Sequence, residues 1–364
     1  MNVAFFDAEY AEHGAAPERR RSRGQGGSSI CSVLRAAFAC ACAIVSGLCY
    51  AGDSDSAAAS ADEGEEEVIV SGEQPGPGLW KVTNGTHVLW VLGTLSPAPR
   101  DMTWRSKQVE AVIAQSKQVL ERTTINTNIG FWSRVRLLPA ALRARKNPDG
   151  ANLKQILTPE LYSRWTAQKL RYMGNDRGIE EWRPMFAGLQ LFSKALKKSG
   201  LTDSTPVVPA VRKLAKKYKV PVVTLSVKVE LDDPRQAIRD FTQTPRALDI
   251  ACLEATIERL ETDMEPMKQR AKAWAVGDVD ELKRIGFPRQ RNACQEALMS
   301  APALQDEFND VKNRVINEWL TAAERALAKN DVSLAVLPVE EILAPDGRFA
   351  KLAQKGYAVE WPQS

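Results

Sequence analysis

The sequence predicts an α/β fold: a single domain with a central mixed sheet built from N- and C-terminal strand-loop-helix-strand units, and a long helical insertion between them. Three observations predict it. Apolar runs of strand length stand near both ends, in "LWKVTNGTHVLWVLGTL" and "VSLAVLPVEEI". Each is followed by a segment of helical character and then by a second short strand. The stretch between, from about 130 to 320, is mostly helical, and strands at both ends with helices between argue for one body rather than two.

In chain order, residues 1–51 read as a signal peptide. "RRRSRG" is a basic n-region, "VLRAAFACACAIVSGLCYA" is a short apolar stretch, and Cys49-Tyr50-Ala51 fits a small-x-small cleavage site. The thirty residues ahead of the apolar stretch are long for an n-region, which points to a true start downstream of Met1. Residues 52–78 are acidic and of low complexity, and read as a disordered linker. The folded domain spans 79–364.

Two apolar runs around Asn84-Gly85 open that domain as a hairpin. Val109, Val112, Ile113, Ser116 and Leu120 then recur at helical spacing and lead into a short strand at "QVLERTT". Within the insertion, "VPVVTLSVKVEL" alternates and reads as a strand. The closing unit is "VSLAVLPVEEI", a strand and loop; "DGRFAKLAQKG", a short helix closed by Gly356; and the final strand "YAVEWP".

Charge and cysteine content bound the partners. Of 49 basic and 45 acidic residues, 5 and 4 fall in the first 51 positions and 8 acidic ones in 52–80, leaving 44 against 33 in the body, a net of +11. Such a body attracts polyanions, or simply carries a solubilising excess. Cys252 and Cys294 are the two cysteines outside the leader. In an exported protein they form a disulfide or remain two buried thiols. We find no Gly-rich phosphate loop, no Cys/His cluster and no membrane-spanning stretch after the leader. Nucleic acid is excluded as the partner of an exported chain.

Three segments in order resemble the TraB/GumN family (TraB/PrgY/GumN). They are "GLWKVTNGTHVLWVLGTL", "AWAVGDVDEL" with Trp274, Gly277, Asp278 and Leu282, and "APDGRFAKLAQKGYAVE". That family includes bacterial pheromone-shutdown proteins, GumN from an exopolysaccharide gene cluster and, distantly, the animal Tiki metalloproteases. The resemblance implies a Gly-x-x-His motif at each end and a glutamate at the end of the second strand, which form a metal site in the Tiki members. Here the first motif falls on Gly93-Thr94-Leu95-Ser96, the glutamate on Glu121, and the second motif on Pro338-Val339-Glu340-Glu341. Both histidines are missing. Arg314 is the nearest match to the family's arginine on the last long helix.

A serine hydroxyl is a poor substitute for imidazole, because it is not ionised near neutral pH. Outside the leader only His87 remains, on a strand face shared with Leu89 and Val91. A His-based metal centre is thereby excluded by counting. Ser96 lacks the Gly-x-Ser-x-Gly elbow of a serine nucleophile. Glu121, Glu340, Glu341 and Asp346 could converge on Mn, Ca or Mg, with Glu121 and Glu341 as the metal candidates, or form a paired-carboxylate acid–base site. Alternatively Glu340 and Glu341 are loop residues and Glu121 pairs with an arginine such as Arg314.

Two basic runs, Arg134, Arg136, Arg143, Arg145 and Lys146 around an apolar seam, and Lys283, Arg284, Arg289 and Arg291, would cradle phosphates or uronates, or be solvated helix faces. Trp132, Trp165, Trp182 and Trp274 are expected to pack in the core. The reading is a periplasmic or secreted family member that needs no cofactor and acts by binding an anionic polysaccharide or envelope protein. The alternatives are a carboxylate-metal-dependent hydrolase and a polyanion-binding module.

Overall fold

The computed structural model describes residues 73–74, 76–104, 106–127, 129–230, 233–287, 294 and 302–362. The segment expected to be a leader, residues 1–51, and most of the acidic segment lie outside the described residues, as do Arg289 and Arg291. The end of the acidic segment is held by the body: Gly76 N–H donates to the Ala275 carbonyl at 3.0 Å.

Strands β1 (Leu79–Asn84) and β2 (His87–Thr94) form the opening hairpin. Gly85 sits between them at φ 58°, the left-handed value a tight hairpin turn asks for. A short β3 (Ala98–Pro99) precedes helix α1 (Lys107–Gln115), which buries Val109, Val112 and Ile113. Ser106 starts α1 where the pattern requires it, its hydroxyl accepting from Val109 N at 3.2 Å. Strands β4 (Val119–Leu120) and β5 (Thr124–Thr127) follow.

The insertion contains α2 (Phe131–Ala144), α3 (Pro159–Met173), α4 (Pro184–Lys198), β6 (Leu201–Thr202), α5 (Val207–Lys217), β7 (Val222–Val223) and β8 (Ser226–Val229). It continues through α6 (Pro234–Thr242), α7 (Arg246–Thr262), α8 (Met264–Val276), α9 (Val279–Ile285) and the long α10 (Pro302–Lys329). The chain closes with β9 (Val332–Pro338), α11 (Val339–Leu343), α12 (Arg348–Gln354) and β10 (Ala358–Glu360).

The central sheet is mixed, in the order β10-β1-β2-β9-β4-β7. The pairs β10–β1 and β1–β2 are antiparallel, and the remaining neighbours are parallel. Strand β9, from the far end of the chain, inserts between β2 and β4. Its continuous run Leu334–Leu337 is fully buried, as a parallel strand covered on both faces should be. The molecule is therefore α/β.

Two elements differ from the expectation. "VPVVTLSVKVEL" is two strands, not one: β7 pairs with β4 and β8 with β5. The gap between β7 and β8 at Thr224-Leu225 lies beside the gap between β4 and β5 at Glu121–Thr123. The segment after β9 is helical rather than a loop, with Glu340 and Glu341 in the first turn of α11, where carboxylates favour the helix dipole. Among the tryptophans, Trp165 and Trp274 are fully buried and Trp182 stacks under Arg145, but Trp132 is 75% exposed. Cys252 and Cys294 lie with their sulfurs 2.06 Å apart, so a disulfide between them is possible. No helix among the described residues is long and apolar enough to cross a membrane.

Candidate functional site at the carboxyl edge of the sheet

Because β2, β9 and β4 run parallel, their carboxyl ends share one edge. Gly93 lies opposite Leu337, Thr94 opposite Pro338, and Leu120 opposite Ala335. Ser96, Glu121 and the Pro338–Glu341 segment thus leave the sheet at the same edge, where α/β proteins place ligands. Gly93 is required by close approach: a Cβ there would stand 2.7 Å from the Trp80 ring. Its carbonyl accepts from Trp274 Nε1 at 3.1 Å, which ties the end of β2 to α8.

At this edge Ser96, Glu121 and Glu341 each have a protein partner. Ser96 Oγ donates to the Asp203 carbonyl at 2.9 Å. Glu121 is buried, its side chain 8% exposed, and accepts from Arg212 Nε at 2.5 Å and Nη2 at 2.8 Å. Its cation is Arg212 on α5, not Arg314. Arg314 instead donates to the Lys228 carbonyl at 2.8 Å and lies 3.4 Å from Asp310. Glu341 is held by Arg348 at 2.6 Å. Asp346 lies exposed beyond α11. His87 Nδ1 donates to the Leu327 carbonyl at 2.8 Å, a structural duty at the other end of β2. Among the described residues no three His, Cys, Asp or Glu side chains gather as a group able to hold a metal ion.

A second set of charges gathers here that sequence reasoning missed. Asp263 binds Arg270 Nη2 through both oxygens at 2.8 Å and lies 3.8 Å from Arg259 Nε. Arg259 lies over the Phe192 ring at 4.4 Å. Desolvation draws the Arg259 guanidinium below its ordinary value, with Asp263 opposing and Arg270 adding to the shift. Desolvation also pushes Glu340 above the ordinary glutamate value, reinforced by Glu341 and opposed by Arg259 and Arg270. Asp203 is raised for the same first reason, against the pull of Arg259. Two perturbed carboxyls and the perturbed Arg259 guanidinium beside the motif loops make this edge a candidate site, although Asp203 and Glu340 are themselves exposed.

One signal for part of this set was in the sequence. Met267, Arg270, Ala271 and Trp274 fall on one stripe of α8, and all are buried. A charge on an apolar stripe needs a partner. A separate cleft of about 370 Å³ between α10 and the β4–β7 edge contains none of the motif positions.

With the fold and edge in place, the comparison with known proteins is decisive on one point. The family model of TraB/PrgY/gumN matches residues 78–361. The chain belongs to the TraB/PrgY/gumN family. No curated protein and no solved structure matched. At the carboxyl edge of this TraB/PrgY/gumN chain the oxygen donors offered by the sequence-predicted residues are Ser96, Glu121 and Glu341. The donor set of one neutral hydroxyl and two arginine-bound carboxylates does not fit a transition-metal centre.

Proposed function

We propose that this chain is an exported binding protein, periplasmic or secreted, whose ligand is an anionic polysaccharide of the cell envelope. The observation that carries the reading is the edge itself. Ser96, Glu121 and Glu341 are each engaged by protein groups, while Arg259 lies 3.8 Å from Asp263 and is coupled electrostatically to Glu340 and Asp203, whose carboxyls are pushed above their ordinary values. An anionic sugar would take the place of Glu340 and Asp203 beside that guanidinium, and the +11 body would raise its local concentration. A hydrolase using carboxylate-bound Mn, Ca or Mg would have to strip Arg212 from Glu121 and Arg348 from Glu341 first. That costs the protein two ion pairs, so we favour binding without catalysis.

The signs of the carboxyl shifts give the test. Both Glu340 and Asp203 are raised, so they take up protons as pH falls through a range above ordinary carboxylate values. Arg259 then loses internal counter-charge. Retention on a sulfated polysaccharide, whose own charge does not titrate there, is expected to rise as pH falls through that range. Arg259→Ala should lower retention and flatten its pH dependence. A module binding through overall charge alone would be retained by Arg259→Ala as well as by wild type, and that result overturns this assignment.

A further inference from the structure

Helix α2 presents its apolar side to solvent. Phe131 is 69% exposed, Trp132 75%, Val135 48%, Leu138 55% and Leu142 46%. At 3.6 residues per turn these five, with Pro139, fill an arc of about 120°. The opposite side, Leu137, Ala141 and Ala144, faces the protein, where α2 packs on α6. The basic residues line the two borders of the exposed arc, with Arg134 and Arg145 on one side and Arg136 and Arg143 on the other. No acidic residue occurs between Glu121 and Asp149. The sequence allowed a solvated basic face with its seam inward; the structure turns the seam outward.

We propose that α2 is a docking surface for an anionic lipid bilayer. A helix anchored along its back, with an aromatic and aliphatic stripe outward and arginines on both borders, has the layout of an interfacial helix. The stripe enters the acyl boundary, and the guanidiniums meet lipid phosphates. A second copy of this chain would bring the two sets of arginines face to face, with no carboxylate on the helix to offset them. A polysaccharide would leave the apolar stripe in water. Arg145 is already stacked on Trp182 at 3.8 Å and Arg134 Nε donates to the Ile129 carbonyl at 3.1 Å, so Arg136 and Arg143 carry most of the lipid contact. The surface is distinct from the sheet edge and does not depend on its reading.

The test uses the full chain and vesicles of phosphatidylcholine with phosphatidylglycerol. All nine tryptophans lie at or after Trp80, so none falls in the leader. Brominated acyl chains are expected to quench tryptophan fluorescence, and Trp132→Phe should abolish most of the quenching while the protein still sediments with the vesicles. Arg136→Glu/Arg143→Glu should reduce retention by roughly tenfold or more, at about a factor of five for each basic residue near an anionic surface. Arg259→Ala should bind vesicles as wild type does. Equal quenching in wild type and Trp132→Phe overturns the proposal. So does a dimer abolished by Phe131→Ser/Trp132→Ser in a protein that ignores the vesicles.

Discussion

Asp249→Ala is expected to lower the free energy of unfolding by about 3–5 kcal/mol, among the largest effects of any single substitution in this chain. Arg183, at the start of α4, and Asp249, on α7, are both almost fully buried. Their bonds run Nε to Oδ2 at 2.6 Å and Nη2 to Oδ1 at 3.1 Å, and Arg183 Nη1 donates to the Phe241 carbonyl at 2.9 Å. Removing the carboxylate strands a guanidinium between α4 and α7, over the Phe241 ring. The cost is that of an uncompensated buried charge, not the net worth of the pair. Arg183→Met/Asp249→Leu should therefore recover most of the loss, because matched apolar groups need no counter-charge. Denaturant unfolding of the three variants checks this. A loss below about 1 kcal/mol for Asp249→Ala would show that water reaches the pair.

Trp274→Ala is expected to cost about 3–5 kcal/mol through the cavity it leaves. Trp274 is fully buried on α8 and is the only tie from that helix to the Gly93 carbonyl among the hydrogen bonds of the described residues. Trp274→Phe separates the two contributions. It keeps most of the volume and strands the carbonyl, for a loss of about 1–3 kcal/mol. Because that carbonyl ends β2 next to the Ser96 loop, Trp274→Phe should also weaken polysaccharide retention, whereas Asp249→Asn, farther from the edge, should not. Unfolding curves and retention measured on the same preparations decide it.

Much of the fold is legible in the sequence because its signals are local. Asn84-Gly85 sets the hairpin, Ser106 starts α1, and Gly356, at φ 91°, closes the last helix. The break between β7 and β8 is not local: alternation continues through Thr224-Leu225, and the run is divided because β7 pairs with β4 and β8 with the separate strand β5. The same holds at the site. The positions of Ser96, Glu121 and Glu341 follow from strand order, and their meeting at one edge from parallel pairing. Which arginine meets Glu121 depends on where α5 lands, and sequence spacing cannot distinguish Arg212 from Arg314. The outward seam of α2 is hidden for a related reason. Period reveals that a helix has an apolar side, never which way that side faces.

The central claim is that Ser96, Glu121 and Glu341, at the carboxyl edge of the sheet, are held by internal polar contacts and do not serve as metal ligands. Elemental analysis of the purified protein, with Glu121→Ala alongside, tests it most directly. The account predicts that manganese, calcium, magnesium, zinc and iron are all far below one equivalent in both proteins, even after incubation with the ions and desalting. One equivalent of a divalent metal in wild type that disappears in Glu121→Ala would contradict it.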